Sequence, residues 1–315
     1  MQEKKIKVLA VIGPTASGKT RIGVELAKMY NGEIISADSM QIYKHMDIGT
    51  AKPTIEEMKG IPHHLIDFVE TSTIFNVVDY VKLAKEKINY IVSKNKLPII
   101  VGGTGLYVDS LLSGVKFGEG VADFKLRDEL KNIADTKGSM VLLKELEKFD
   151  PETAQRLHPN NVVRIIRAIE IYKTTGQTMS EQVKKSRSKD RPYNDLIIGL
   201  NFKDRSVLYK RINNRVDEMI KGGLIDEAKK VLSSNCNKTA LNAICYKELN
   251  SYIMGVEPLA SAIERLKTET RKYAKRQITW FRRNNKINWL NIDEYNSFEE
   301  ILNKCTKNID LWKKM

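Results

Sequence analysis

Apolar positions along the first hundred residues follow two periods in turn. Val8-Leu9-Ala10-Val11-Ile12 is a continuous apolar run, the pattern of a strand buried on both faces. Ile22, Leu26 and Met29 then share one side of a helical pattern. Glu33-Ile34-Ile35-Ser36-Ala37-Asp38 reads as a second strand ending in a carboxylate, and His63-His64-Leu65-Ile66-Asp67 as a third, short one. Val77, Val81, Ala84, Ile88 and Ile91 mark a long helix, and Pro98-Ile99-Ile100-Val101-Gly102-Gly103 a buried strand entering a glycine turn. This alternation predicts an α/β fold, a P-loop NTPase-like parallel sheet with helices on both faces.

From about residue 116 to 195 the pattern changes. Leu126, Leu130, Ile133, Leu142, Leu143 and Leu146 recur at helical spacings, and a further helix is expected from Val162 to Lys173, ending near Gly176. The basic stretch Lys184 to Pro192 reads as a loop. Leu196-Ile197-Ile198-Gly199-Leu200 looks like a core strand again, and Ile287-Asn288-Trp289-Leu290 like a last one. The expected division is therefore a first core segment, 1–115, a helical insertion, 116–195, and a second core segment with basic C-terminal helices, 196–315. No internal repeat is visible.

Composition narrows this little. The chain has 315 residues and 42% hydrophobic content, ordinary for about two globular domains. No apolar run approaches a membrane span, and no membrane partner is expected. Met1 to Lys5 lead straight into the first strand, which leaves no room for a signal peptide. Cys236, Cys245 and Cys305 lie far apart, with no C-x-x-C pair and no His at zinc-finger spacing, so a reduced, cytoplasmic setting is expected. The formal net charge is +14. That fits a polyanionic partner such as nucleic acid, and equally a lysine-rich proteome.

Chemistry enters at Gly13-Pro14-Thr15-Ala16-Ser17-Gly18-Lys19-Thr20, which fits G-x-x-x-x-G-K-[ST] between a strand and a helix. Its glycines let backbone N–H groups converge on phosphate oxygens, and the helix N-terminus adds positive potential. Lys19 is suited to terminal phosphate oxygens and the Thr20 hydroxyl to Mg²⁺. Asp38 ends the second strand where an acceptor-handling acid would stand, although a lone Asp there also serves as a helix cap. Asp38-Ser39-Met40-Gln41 collects an acid, a hydroxyl and an amide suited to a nucleobase edge. The strand before Gly102-Gly103-Thr104-Gly105 ends without the Mg²⁺-organising Asp of many NTPases, with Asp67 a candidate substitute.

Arg265 to Lys286 holds nine Lys or Arg and one acid, Glu269. Arg265, Lys272, Arg276 and Arg283 share a helical face, beside an apolar stripe of Leu266, Tyr273 and Trp280 that reads as core. Such a face suits a phosphate backbone. Arg164 and Arg167, at i, i+3, and Arg211 and Arg215, at i, i+4, are pairs that could clamp a diphosphate if placed at the P-loop mouth, though exposed arginines are usually only solvated.

Taken in order, these segments resemble the bacterial tRNA dimethylallyltransferases (tRNA isopentenyltransferases). The resemblance runs through GPTASGKT (Gly13–Thr20), SADSMQIYKHMDIGTAKP (Ser36–Pro53), PHHLID (Pro62–Asp67), GGTGLY (Gly102–Tyr107), RIIRAIEIY (Arg164–Tyr172), GGLIDEA (Gly222–Ala228) and TRKYAKRQITWFR (Thr270–Arg282). It implies transfer of a dimethylallyl group from dimethylallyl diphosphate to the exocyclic N6 amine of the adenosine 3′ of the anticodon. The tRNAs concerned read codons starting with U, and diphosphate leaves. By this resemblance the P-loop, Gly13 to Thr20, holds the prenyl diphosphate rather than ATP, with Mg²⁺ as cofactor and Lys19 offsetting charge on the leaving group. Asp38 would take the amine proton. Ser39, Met40, Gln41, Thr104, Arg127 and the stretch Val163, Arg164, Ile165, Ile166 and Arg167 match positions that touch tRNA. Lys272 and Arg276 join them from the basic helix. Thr104 counts with Asp38 and Lys19 as catalytic, and Arg211 or Arg215 as a diphosphate ligand. The helical insertion is expected to grip the anticodon stem-loop, and the target base to leave its stack. A monomer without an obligatory protein partner is expected.

Three positions depart from the family's pattern: Met40 where many relatives have Arg, His45 where Gly is frequent, and Cys245 in place of a usual Gly, with a tight turn expected there. Competing readings are a P-loop small-molecule kinase with Asp38 as base, an RNA-binding protein with a vestigial P-loop, and a prenyltransferase for free adenine nucleotides. The basic charge and the insertion argue against the last.

Overall fold

The structure, a computed structural model, describes residues 5–115, 123–186 and 191–314. Its contacts divide the chain into two compact units, Met1–Leu112 with Pro192–Met315, and Ser113–Arg191.

The larger unit is built on strands β1 (Lys7–Ile12), β2 (Gly32–Ala37), β3 (His63–His64), β4 (Leu97–Gly102), β5 (Asn194–Asn201) and β6 (Ile287–Asn291). They form one parallel sheet in the order β3-β2-β4-β1-β5-β6. Four strands are almost wholly buried; β1, β4 and β5 carry the apolar runs this requires, whereas β2 also buries Glu33 and Ser36. β3 is only two residues long, because the chain turns after it, with Leu65 and Asp67 at positive φ. β5 begins at Asn194, so the sheet resumes slightly earlier than the sequence pattern suggests.

Helices of this unit are α1 (Lys19–Met29), α2 (Ile55–Met58), α3 (Val77–Ser93) and α4 (Gly105–Leu112) before the insertion. Ile22 and Leu26 of α1 are buried as expected, but Met29 is 56% exposed. The helical unit contains α5 (Phe124–Lys137), α6 (Ser139–Glu147), α7 (Pro151–Arg156), α8 (Val162–Thr175) and α9 (Met179–Ser186). Leu130, Leu142, Leu146, Ile165, Ile166 and Ile169 form its core. α5 and α6 are separated at Gly138, whose φ of 84° breaks a leucine pattern that otherwise reads as continuous. α9 runs to Ser186, so Lys184 to Ser186, expected in a loop, are helical; residues 187–190 of that loop lie outside the described residues.

After β5 come α10 (Arg205–Lys221), α11 (Leu224–Ser233), α12 (Lys238–Leu241), α13 (Ile244–Ile253) and α14 (Leu259–Phe281), then β6 and α15 (Phe298–Lys314). α14 is the expected basic helix, but it ends at Phe281, five residues before Lys286. A second apolar core, with Tyr43, Met46, Val216, Leu224, Tyr246 and Leu266, lies among α10, α11, α13 and α14 and the chain following β2.

Register explains where a site can form. Ile12 of β1 and Ala37 of β2 both stand level with Gly102 of β4, and Ile12 also with Gly199 of β5. The loops after β1, β2 and β4 therefore leave the sheet together at its carboxyl edge, where open α/β sheets bind ligands.

Candidate active site

The first two of those loops open onto a cavity of about 780 Å³, which meets β4 at Val101 and Gly102; Thr104, expected to be catalytic, is not part of its lining. Thr15, Ala16, Gly18, Lys19 and Thr20 line it from the first loop, and Asp38, Ser39, Met40 and Gln41 from the second. Arg211 and Arg215 of α10, Cys245 of α13 and Thr270, Tyr273, Arg276 and Gln277 of α14 complete the wall.

The P-loop is shaped to leave donors open. Gly18, at φ 82°, is the N-cap of α1 and carries no side chain to close it. The first N–H groups of a helix have no intrahelical acceptor, so here they remain available to an anion. By contrast, Asn76 and Asp79 cap α3 reciprocally. Ser17 is buried, and its Oγ has no hydrogen-bond partner among the described residues. Gly13 and Pro14 are buried behind the loop, and the Pro14 carbonyl accepts from Lys19 Nζ at 3.3 Å. Burial brings the Lys19 pKa down to about 8; Asp38 opposes this and Arg215 adds to it.

Both candidate diphosphate arginines reach the loop. Arg211 Nε donates to the Ala16 carbonyl at 2.9 Å, and Arg215 Nη1 to Thr15 Oγ1 at 3.3 Å. Burial lowers the pKa of each. Their i, i+4 spacing on α10 is what lets two guanidiniums address one loop.

Asp38 follows β2 directly, and its Oδ1 accepts from the N–H groups of Met40 at 2.9 Å and Gln41 at 3.3 Å. The cap reading is thus realised as a turn, and Oδ2 carries no bond to a described residue. Thr104 N donates to the Ala37 carbonyl at 3.0 Å, and its Oγ1 accepts from Ser39 N at 3.0 Å. Thr104 thereby ties the third loop to the second. The Gln41 amide nitrogen is already committed, since Nε2 donates to the carbonyls of Thr50 and Ala51 at 3.1 and 2.9 Å.

That loop has its own anchor. The Glu227 carboxylate accepts from the N–H groups of Asp47, Ile48 and Gly49 at 2.9, 2.8 and 2.8 Å, and from the Tyr246 hydroxyl at 2.8 Å. This is the physical role of the GGLIDEA segment, which motif reading left unexplained. Asp67, the candidate substitute acid, is bound instead by Lys52 at 2.6 Å.

The cationic face of α14 is smaller than its sequence suggests. Arg265 is held by Glu248 at 2.7 Å and by Glu257, and Lys272 by Glu269 at 2.7 Å. Arg276 lines the cavity and stacks its guanidinium 5.8 Å from the Tyr273 ring. The apolar stripe divides likewise. Leu266 is core, but Tyr273 faces the cavity, and Trp280 Nε1 donates to Asp109 at 2.6 Å.

In the helical unit, Arg127 Nε and Arg167 Nη1 both bind the buried Glu170, at 2.9 and 2.6 Å. Asp123 N donates to the same carboxylate at 2.8 Å. Val163 and Arg164 are exposed. Ile165 and Ile166, expected to touch tRNA, are buried in the unit's core.

The departures also find places. His45 adopts φ 62°, a left-handed conformation that Gly enters without cost. Met40 lines the cavity and packs on the second core. Cys245 is in the first turn of α13, not in a tight turn, and its burial pushes the thiol up to about 12.

A family model described as IPP transferase matches residues 41–284. A tRNA dimethylallyltransferase of Thermoanaerobacter sp. (strain X514) is 49% identical over 305 residues, 96% of this chain and 97% of that one. Among solved structures, the full-length tRNA isopentenylpyrophosphate transferase of Bacillus halodurans matches with a TM-score of 0.71 at 44% identity, covering 98% of this chain and 99% of that one. A eukaryotic dimethylallyltransferase acting on tRNA matches with a TM-score of 0.72 at 32% identity, over 88% of this chain and 70% of that one.

Proposed function

Because this chain belongs to the IPP transferase family, we infer that it is a tRNA prenyltransferase that moves a dimethylallyl group from its diphosphate to tRNA. The acceptor we propose is the N6 amine of the adenosine 3′ of the anticodon, in tRNAs that read U-starting codons. The observation that carries the reading is the shared cavity, lined by an uncapped P-loop helix, two arginines bonded to that loop, and the Asp38 carboxylate.

In this reading the amine attacks the allylic carbon next to oxygen. The new N–C bond forms as the C–O bond breaks, and its electron pair leaves with the diphosphate. Lys19, Arg211 and Arg215 meet the charge that builds there, together with the N–H groups at the start of α1. Asp38 Oδ2 receives the amine proton, while Oδ1 keeps the turn that aims it. An exocyclic amine is a weak nucleophile, so fixing its approach matters as much as basicity.

The oxygen donors present suit Mg²⁺. Thr20 and Asp38 line one cavity, and among the described residues no three His, Cys, Asp or Glu gather as a closed metal cage. Mg²⁺ usually takes one or two protein oxygens and completes its shell with waters and substrate phosphates. Bound beside Thr20, the ion would offset charge on the diphosphate.

For the anticodon stem-loop, the helical unit offers the exposed Arg164 and the Arg127–Glu170–Arg167 cluster; Arg276, on α14 of the larger unit, is read separately as a phosphate contact. The kinase reading is not favoured: relatives spanning nearly the whole chain are named dimethylallyltransferases, which move a prenyl and not a phosphoryl group, and Asp67 is bound by Lys52. Among the described residues no helix is long and apolar enough to cross a membrane. Mass spectrometry of tRNA nucleosides from a strain lacking this protein tests the proposal. N6-dimethylallyladenosine and its derivatives should disappear, and their persistence would overturn it.

A further inference from the structure

Gln277 is the polar residue among the buried side chains of α14. Its buried neighbours along the helix, Ala274 and Phe281, are 0% and 1% exposed, and Gln277 itself is 5% exposed. Spacing places it among core residues, where an amide costs stability unless both of its ends are bonded. Both are. Oε1 accepts the Thr15 N–H at 2.8 Å, and Nε2 donates to the Gly103 carbonyl at 3.0 Å. A Cβ on Gly103 would run into the Gln277 amide, so the glycine there lets the two meet.

The two bonds end on different loops. Thr15 belongs to the P-loop after β1, and Gly103 to the turn after β4. The next residue, Thr104, holds Ala37 and Ser39 on either side of Asp38. One side chain thus spans from the diphosphate loop to the turn after β4, whose next residue braces the loop that carries Asp38. Sheet pairing holds the strand ends level at Ile12, Gly102 and Ala37, and the Gln277 amide adds a link between the loops that leave β1 and β4 beyond them.

We propose that Gln277 is a positioning residue that sets the spacing between the diphosphate-holding loop and the Asp38 side of the cavity. This rests on the prenyl-transfer reading above. Each loop retains its own contacts without the bridge: Arg211 and Arg215 still hold the P-loop, and Thr104 still holds Ser39. Losing the bridge should therefore leave each substrate bound and spoil their mutual approach. A misplacement of about 1 Å can cost on the order of a hundredfold in rate.

The test is steady-state kinetics of the full chain with dimethylallyl diphosphate and unmodified tRNA, with rates counted per folded molecule from a thermal melt. Q277M keeps length and removes both bonds. The expected result is a kcat lower by about 10- to 100-fold, with KM for each substrate within about threefold of wild type. Q277L, shorter by one atom, also removes both bonds and adds no charge. At saturating donor its kcat should also fall at least about tenfold, which serves if Q277M does not fold. A kcat within about threefold of wild type in the folded variants would overturn the proposal, as would a loss carried only by the donor's KM. Absence of transfer by the wild-type protein would instead sink the reading beneath it, so the two failures are distinguishable.

Discussion

Lys19 offers a prediction in which pH acts as the perturbation. Burial, with Arg215 adding and Asp38 opposing, lowers its pKa to about 8 in the free protein. An amine of that pKa is roughly 90% protonated at about pH 7 and roughly 10% at about pH 9. The sign follows from linkage: the folded, ligand-free state disfavours the charged ammonium, and a bound diphosphate favours it. Binding at about pH 8 should therefore take up roughly half a proton. If the charged form is the one that binds, affinity for inorganic diphosphate falls by about tenfold between about pH 7 and 9. The ligand's own ionisation would blur this, so Lys19→Arg is the control. Its guanidinium stays charged throughout, and the ligand's contribution cancels in the ratio of the two proteins. Calorimetry in buffers of different ionisation enthalpy reads both quantities. A wild-type to K19R affinity ratio constant within about twofold over that range would refute the reasoning.

Asp38→Asn keeps the Oδ1 acceptor for Met40 and Gln41 but takes up no proton, so tRNA binding should persist while kcat falls by about 10²- to 10⁴-fold; gel-shift and single-turnover assays check this. Glu170 is fully buried under two arginines, and Glu170→Ala should cost about 3–5 kcal/mol in a denaturant melt. Burial pushes its carboxyl up, but the arginines and the Asp123 N–H outweigh that and hold it below the usual range. Its folded pKa is thus depressed, so its contribution is complete above about pH 4.3 and is lost as pH falls through the folded value. Neutralising Arg276 should reduce the salt slope of tRNA binding by about one. Lys272, already paired with Glu269, should reduce it less, and filter binding across a salt series compares them.

The site was legible in sequence where chemistry is local. The P-loop, Asp38 at the end of β2 and the glycine turn after β4 are each encoded by a few consecutive residues, and sheet register brings them level. What single residues do after folding was not legible where the partner is distant. The charge pattern of α14 could not show that Arg265 belongs to Glu248 and Glu257, nor that Gln277 is buried among apolar neighbours with Thr15, 262 residues away, on its amide. In α8 a contact stretch carried over whole hid the helical period, which buries Ile165 and Ile166 while Val163 and Arg164 face out. Helix breaks followed the same logic. Gly138 interrupts a leucine periodicity through a single positive φ, which the apolar spacing does not encode.

The most direct measurement incubates the folded protein with Mg²⁺, dimethylallyl diphosphate labelled in its allyl group, and an unmodified tRNA that reads a U-starting codon. The account predicts label on N6 of the adenosine 3′ of the anticodon, diphosphate released in equal amount, and AMP unable to compete for the group. RNA left unlabelled by folded protein, or label diverted to AMP, would contradict it.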